Sequence, residues 1–264
     1  MATVGNILSR LFELAPAEAK MDFDNIGLLA GGARARVNGI IVALDITSEV
    51  IEEAVETGAN LIVSHHPLLF ELKRITDADV RGKKLLTMLS HGISAICMHT
   101  NLDAARGGVN DALAKAAGLG SVELLSEDGR YSDGTPFSYG RIGVLENPTG
   151  MRDYMTFLKS ALKTHGLRYH NSGRRVSRVA VVGGSGGDYL RAAFEHGCDT
   201  LVTSDVKYDV FLDARELGIN LIDADHFCTE NVVTPELRRV ISETFPTISC
   251  KTSTKHGQTA RFFV

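Results

Sequence analysis

Histidines and carboxylates follow three of the buried strands that the sequence predicts, at 59–64, 93–98 and 219–224. Ligands collect beyond the carboxyl ends of strands in open α/β sheets, and imidazole and carboxylate groups are common ligands of divalent metals. Three strand ends with this chemistry therefore predict a metal site. The side chains concerned are His65, His66, His99, Asp103, His226 and Glu230.

The spacing of these residues adds detail. Neighbouring side chains on a strand point to opposite faces, so His65 and His66 would serve two neighbouring ions unless the backbone bends there. His226 and Glu230 are four positions apart, which places both on one face if a helical turn follows the strand. His99 and Asp103 share this spacing.

Coordination numbers favour a pair of ions. Two four-coordinate metals need about eight ligand positions. His65, His66 and His226 supply three, and Asp103 and Glu230 supply up to four if each bridges or chelates, which leaves a place for water. A water shared by two cations is acidified and becomes a strong nucleophile. A single histidine after a strand is more often a loop or capping residue, so the prediction depends on the three strand ends together.

The elements that must position these residues form an internal repeat. Residues 37–67 are predicted to be a strand, a helix and a second strand, which is a βαβ unit with a parallel pair. The same order recurs over 176–205, and Val37 meets Val176 at an offset of 139 residues. The repeat predicts an α/β protein of two related, facing lobes. The first lobe is predicted to cover about 1–120 plus 230–264 and the second about 126–229.

Composition excludes several classes of protein. The 264 residues are 44% hydrophobic and 23% charged, with a net charge of −4, which does not favour binding of nucleic acid or anionic membrane by bulk electrostatics. The four cysteines show no CxxC spacing, so a zinc ribbon, a redox pair and a disulfide framework are not expected. We expect a cytoplasmic protein, since the first twenty residues have helical rather than signal-peptide spacing and no apolar run reaches membrane-span length.

Three further features have a structural and a functional interpretation. The GGSGG stretch at 183–187 could bind a phosphate with its backbone amides or could be a tight turn, and it lacks the full dinucleotide and P-loop fingerprints. Lys207 and Tyr208 follow a strand end and could stabilise charge or donate a proton, or could begin an exposed helix. Asp24 and Asn25 could line a cleft or stabilise a turn.

Several segments together resemble the Nif-three-like dinuclear metal-centre family, also called the GTP cyclohydrolase 1 type 2 family. They are DNIGLLAG (24–31), ALDIT (43–47), SHHPLLF (64–70), HTNLDAARGGVND (99–111), VGGSGG (182–187) and VTSDVKYDVFLDARELGINLIDADHFCTE (202–230). The resemblance implies two facing α/β lobes with a dinuclear metal site in the cleft between them and a toroidal homohexamer. The ligands that it implies are His65, His66, Asp103, His226 and Glu230.

The resemblance also implies an activity. It predicts a metal-dependent hydrolase with two divalent ions per chain, of zinc, iron or manganese, that acts on a small molecule such as a nucleotide. Purine ring opening at C8 of GTP and nucleotide phosphoester hydrolysis would use the same ions, with His99, Lys207 and Tyr208 as catalytic candidates. The alternative is a non-catalytic regulatory, scaffold or metal-trafficking protein. Asp225 departs from the family's usual glycine, and 204–209 departs from its usual Gly-Asp-Ile-Lys-Tyr-His.

Overall fold

The chain consists of two compact units, each built around its own sheet. The computed structural model describes residues 2–71 and 74–263. The first unit contains the chain up to Leu102 together with Thr234–Gly257, and the second contains Asp103–Val233 together with the chain from Gln258 onward. The predicted α/β class is confirmed, because both units combine helices with a mixed sheet that contains parallel strand pairs.

The first unit has a five-stranded sheet. Its elements are α1 (Val4–Leu14), β1 (Gly27–Ala30), β2 (Gly39–Ala43), α2 (Ser48–Thr57), β3 (Leu61–Ser64), α3 (Val80–Ser90), β4 (Ser94–Cys97), α10 (Thr234–Thr244) and β13 (Ser249–Thr252), with a short 3-10 turn at Ala17–Ala19. The strand order is β1-β4-β3-β2-β13. All neighbouring pairs are parallel except β1 with β4.

Local sequence signals explain the βαβ order in this unit. Helix α2 begins after Thr47, whose hydroxyl accepts a hydrogen bond from the Val50 amide at 3.2 Å, and ends at Gly58 with φ of 69°. Ile51 of α2 and Met88 of α3 are buried in one hydrophobic cluster with residues of the sheet. The predicted parallel pairing of β2 with β3 is confirmed. The carboxyl ends of β2, β3 and β4 therefore lie at one edge of this sheet.

The second unit has a six-stranded sheet of order β5-β8-β10-β11-β12-β9 and a small β6-β7 hairpin. Its elements are α5 (Val109–Ala116), β5 (Gly120–Leu124), β6 (Gly129–Arg130), β7 (Pro136–Phe137), β8 (Arg141–Thr149), α6 (Met151–Leu162), β9 (Arg168–His170), β10 (Val176–Ser185), α7 (Leu190–Glu195), β11 (Thr200–Ser204), α8 (Tyr208–Leu217), β12 (Asn220–Asp223) and α9 (His226–Glu230), with 3-10 turns at Gly187–Tyr189 and Asn231–Val233. Helix α4 (Thr100–Ala104) carries the chain from the first unit into the second.

The two sheets share a strand order that agrees with the internal repeat. In the second unit β10, β11 and β12 are parallel neighbours and β9 is antiparallel to β12. The series β9-β12-β11-β10 thus corresponds to β1-β4-β3-β2 of the first unit. Strand β10 is buried on both faces, since Val179 and Val181 join a cluster with α5 and α6 whereas Ala180 and Val182 join a cluster with α7 and α8.

The division between the units differs from the predicted lobe boundaries. The prediction gave the first lobe residues up to about 120, but α5 belongs to the second unit. Its Leu113 and Ala117 pack into the same core cluster as Leu158 and Val179. Residues 230–233 and 258–263 also belong to the second unit rather than the first. No helix in the described ranges has the length and apolar character needed to cross a membrane.

Candidate metal centre

Three histidines cluster at the carboxyl edge of the first unit's sheet. His65 and His66 follow β3, and His99 follows β4. Each of the three offers a ring nitrogen that lies within 4.8 Å of the nitrogens offered by the other two. His65 is fully buried, and the other two are partly buried. This donor set fits a divalent transition metal, for which imidazole is a preferred ligand.

Each ring of the cluster is oriented by a hydrogen bond at Nδ1. The acceptors are the Met98 carbonyl oxygen for His65 at 2.8 Å, Asp45 Oδ1 for His66 at 2.7 Å and Asp24 Oδ1 for His99 at 2.8 Å. An acceptor at Nδ1 places the proton there and makes Nε2 the ligating nitrogen, as in carboxylate–histidine–metal arrangements. The cluster therefore presents three imidazoles whose tautomers suit a metal ion.

The backbone at His65 and His66 is fixed by neighbouring strands. The His66 amide donates to the Leu44 carbonyl oxygen at 2.9 Å, and the Ser64 hydroxyl donates to the His66 carbonyl oxygen at 2.8 Å. The Cys97 thiol donates to the His65 carbonyl oxygen at 2.9 Å. The two rings lie 5.0 Å apart between centroids.

Asp24 is the buried partner of His99. Burial would raise the pKa of the Asp24 carboxyl, but hydrogen bonds from His99 and from the Thr100 hydroxyl and amide outweigh burial and lower the pKa from 3.8 to about 2. The ionised carboxylate is thus strongly preferred in the folded protein. Asp24 therefore holds both His99 and the start of α4.

We expect Asp24→Asn to reduce stability in a pH-dependent way. A carboxyl whose pKa is lower in the folded state stabilises the protein above its unfolded pKa, and this contribution is lost as the pH falls through the folded pKa. The shift from 3.8 to about 2 corresponds to roughly 2 kcal/mol at neutral pH. Urea unfolding of both proteins should show this difference at neutral pH and a shrinking difference between about pH 4 and pH 2.

A control separates this effect from the loss of any surface carboxylate. Glu146 is exposed on β8, and Glu146→Gln should leave the unfolding free energy within about 0.5 kcal/mol at each pH. A difference between wild type and Asp24→Asn that stays constant down to pH 2 would contradict the role of the ionised carboxylate.

The second unit carries a histidine and a glutamate on one short helix. Helix α9 follows β12, and its His226 Nε2 lies 3.0 Å from Glu230 Oε2. His226 Nδ1 lies 2.7 Å from Asp205 Oδ2, so this ring has a carboxylate partner at Nδ1, as His66 and His99 do. The predicted helical turn after this strand is confirmed.

Negative charge surrounds His226. Burial would lower the pKa of this imidazole, but Glu230 and Asp205 raise it to about 9. Asp103 brings a further carboxylate close to Glu230, since one of its oxygens lies within 4.8 Å of an oxygen of Glu230. Carboxylates this close to one another favour a bound cation. This set of oxygen and nitrogen donors also fits a divalent metal ion.

Glycine is required where β10 ends against α9. Gly184 has φ of 62°, and a Cβ atom there would lie 2.2 Å from Glu230 Oε1 and 3.3 Å from His226 Cε1. The amides of Gly183, Gly184 and Gly186 donate to side chains of Asn110, Thr229 and Thr203 at 2.8, 3.1 and 2.9 Å. The GGSGG stretch is therefore a tight turn beside α9, and these three amides do not form a phosphate cradle.

Asp225, the departure from the family's glycine, has a structural role. Its φ of 74° lies in the region that favours glycine. Its carboxylate accepts from the Cys228 amide at 3.1 Å and from the Gln258 side chain. Asp225 therefore caps α9 and offsets part of the backbone strain.

Lys207 and Tyr208 lie at the start of α8, which is the structural alternative considered for them. Lys207 is exposed at the N-cap, and Tyr208 is 78% exposed. Their catalytic role remains a prediction, as does that of His99.

Sequence reasoning missed the roles of Asp45 and Asp205 as partners of His66 and His226. Each follows a parallel strand adjacent to the one that carries its histidine, which is the signal that could have identified them.

The chain belongs to the Duf34/NIF3 family. The family model described as Duf34/NIF3 (NGG1p interacting factor 3) matches residues 2–258. This match confirms the resemblance drawn from the sequence motifs, whereas the assignment of individual ligands remains a prediction.

Relatives and solved structures agree with this assignment. The chain is 34% identical to a GTP cyclohydrolase 1 type 2 homolog of Clostridium acetobutylicum over 86% of this chain and 85% of that protein. A Bacillus cereus protein related to NIF3 aligns with a TM-score of 0.93 and 25% identity, over 100% of this chain and 99% of that one. A hypothetical protein of Staphylococcus aureus aligns with a TM-score of 0.91 and 29% identity, over 99% of each chain.

Proposed function

We propose that this protein is a hydrolase that uses two divalent metal ions. The observation that carries the proposal is the histidine cluster of the first unit, whose three donor nitrogens lie within 4.8 Å of one another and whose rings are each oriented at Nδ1.

The proposed ligands are the five residues that the family resemblance implies. His65 and His66 would bind the ions together with Asp103, His226 and Glu230. Asp45 and Asp205 would orient two of these ligands through their Nδ1 hydrogen bonds. The ions would supply the Lewis acidity that makes a water molecule nucleophilic near neutral pH and stabilises developing negative charge.

His99 is suited to proton transfer in this scheme. Its Nδ1 is held by the buried Asp24 carboxylate at 2.8 Å, and its ring lies 5.2 Å from that of His65 between centroids. An imidazole oriented by a carboxylate can accept a proton at Nε2 and become a stabilised cation. Lys207 and Tyr208 would then interact with the substrate at the carboxyl end of β11.

The proposed substrate class is a nucleotide, and the names of the relatives support it. Proteins named GTP cyclohydrolase 1 type 2 homolog share 34% identity with the chain, which supports a nucleotide substrate. Opening of the GTP imidazole ring at C8 and hydrolysis of the resulting formamide would consume two waters and release formate, whereas phosphoester hydrolysis of a nucleoside monophosphate would consume one water and release phosphate together with the nucleoside. A non-catalytic metal-binding role is the second candidate, because the same ligands would serve a regulator, a scaffold or a metal-trafficking protein.

Reconstituted protein distinguishes these functions. Protein loaded separately with zinc, iron(II) or manganese is incubated with GTP and a panel of nucleotides, and formate, phosphate and nucleoside are measured. We expect metal-dependent release either of formate or of phosphate with nucleoside. In Asp103→Ala we expect the turnover rate to fall by at least a hundredfold. The control Glu146→Ala should retain wild-type turnover. Stoichiometric metal binding without release of any product, for any loaded metal, would favour the non-catalytic role.

A further inference from the structure

Asn110 is a buried polar residue to which the proposed hydrolytic function assigns no role. It lies in the first turn of α5 and is fully buried. Its side-chain amide donates to the Asp103 carbonyl oxygen at 3.2 Å and to the Tyr139 carbonyl oxygen at 3.0 Å. Its Oδ1 accepts from the Gly183 amide at 2.8 Å. One side chain thus joins three separate segments of the second unit.

The first of these segments carries Asp103. Helix α4 has only five residues, so the carbonyl groups at its C-terminal end need partners from outside the helix. Asn110 supplies a hydrogen-bond donor to the Asp103 carbonyl oxygen. Arg141, which is 2% exposed, donates to the carbonyl oxygens of Ala104 and Ala105, each at 3.0 Å. The backbone on which the Asp103 carboxylate is mounted is therefore held by two buried side chains.

The second segment supports Glu230. Gly183, whose amide donates to Asn110, is followed by Gly184, whose amide donates to the Thr229 hydroxyl at 3.1 Å. Glu230 comes next after Thr229, and its Cγ lies only 3.4 Å from the position of a Cβ at Gly183. The end of β10 is thus packed against the glutamate. A shift of this strand end would move the surface on which Glu230 rests.

We infer that Asn110 is a positioning residue that fixes the spacing of the Asp103 and Glu230 carboxylates and thereby sets the affinity of the protein for divalent metal. Oxygens of these two carboxylates lie within 4.8 Å of each other, and Asn110 connects the supports of both. The inference rests on the proposed metal-binding function and adds a determinant of affinity in the second unit.

The chain offers a matched control in Asn220. This residue is also fully buried, donates to the Arg174 carbonyl oxygen and the Thr200 hydroxyl at 3.1 and 3.2 Å, and accepts from the Ser172 amide at 2.9 Å. It begins β12, whereas α9 follows the other end of that strand. Asn220→Ala therefore removes a comparable set of buried hydrogen bonds. It leaves in place the hydrogen bonds that hold the segments next to Asp103 and Glu230.

The test measures metal binding by the whole chain rather than turnover. Wild type, Asn110→Ala and Asn220→Ala are stripped of metal, checked for folding by circular dichroism and titrated with Co²⁺ and Zn²⁺. We expect Asn110→Ala to weaken binding by roughly tenfold to a hundredfold, which is the usual effect of losing a partner that orients a ligand. Its cobalt absorption spectrum should also change. Asn220→Ala should keep wild-type affinity and spectrum even where its stability is lower.

A second variant guards against failure of Asn110→Ala to fold. Asn110→Asp keeps an acceptor for the Gly183 amide but loses the donors to Asp103 and Tyr139, and we expect reduced affinity and an altered cobalt spectrum here too. Equal affinity and identical spectra in folded wild type and folded Asn110 variants would overturn the inference while leaving the proposed function intact. Wild type that binds neither ion would instead overturn the proposed function, and the inference with it.

Discussion

Glu230→Ala is expected to reduce the transition-metal content of the purified protein from about two ions per chain to one or fewer. Glu230 is 4% exposed, and one of its oxygens lies 3.0 Å from His226 Nε2. In the proposed site this carboxylate bridges or chelates, so its removal leaves both ions with incomplete coordination. The measurement is elemental analysis of protein prepared without added metal or chelator.

Two further variants make this result specific. Glu216 is exposed at the end of α8, and Glu216→Ala should retain the wild-type metal content. Asp103→Ala should show the same loss as Glu230→Ala, since the two carboxylates lie within 4.8 Å of each other. Metal content that is unchanged in both Asp103→Ala and Glu230→Ala would contradict the assignment of these ligands.

The segments that carry the proposed ligands could be predicted from the sequence because their signals are local. Apolar runs such as 61–64 specify buried strands, and the residues after them occupy the carboxyl edge whatever the strand order. The helical turn that places His226 and Glu230 on one face follows from their spacing alone. These features need no knowledge of the tertiary structure, and the structure confirms the strand at Leu61–Ser64 and the helix at His226–Glu230.

The partners of the proposed ligands could not be predicted in this way because they depend on which strands are neighbours. Asp45 reaches His66 because β2 pairs with β3, and Asp205 reaches His226 because β11 pairs with β12. A carboxylate after a strand is equally compatible with a turn or a helix cap. Asn110 is a still harder case, since its three partners are 7, 29 and 73 residues away in the sequence.

The division into compact units differs from the predicted lobe boundaries for a related reason. The repeat identified two matching βαβ segments, but it gave no information about helices outside them. Helix α5 follows the first segment in the chain, yet its apolar residues pack with those of α6 and β10 in the second unit. Only long-range packing assigns such an element to one unit rather than the other.

The second large effect is expected for Gly184→Ala. A Cβ atom at this position would lie 2.2 Å from Glu230 Oε1, which is closer than non-bonded atoms approach, and 3.1 Å from its Cδ, which is a tight contact. The glutamate must move or the strand end must shift, and either change disturbs a proposed metal ligand. We expect metal affinity, measured by competition with a chromophoric chelator, to fall by at least about tenfold.

Gly197→Ala is the matched control for this substitution. Both glycines have positive φ, 62° for Gly184 and 73° for Gly197, so alanine strains the backbone by a similar amount at each position, at roughly 1 kcal/mol. A Cβ at Gly197 meets no atom within 4 Å among the described residues. Gly197→Ala should therefore lose stability without losing metal affinity. Equal metal affinity in the two variants would mean that Glu230 can be displaced without cost to binding, and its place among the ligands would have to be given up.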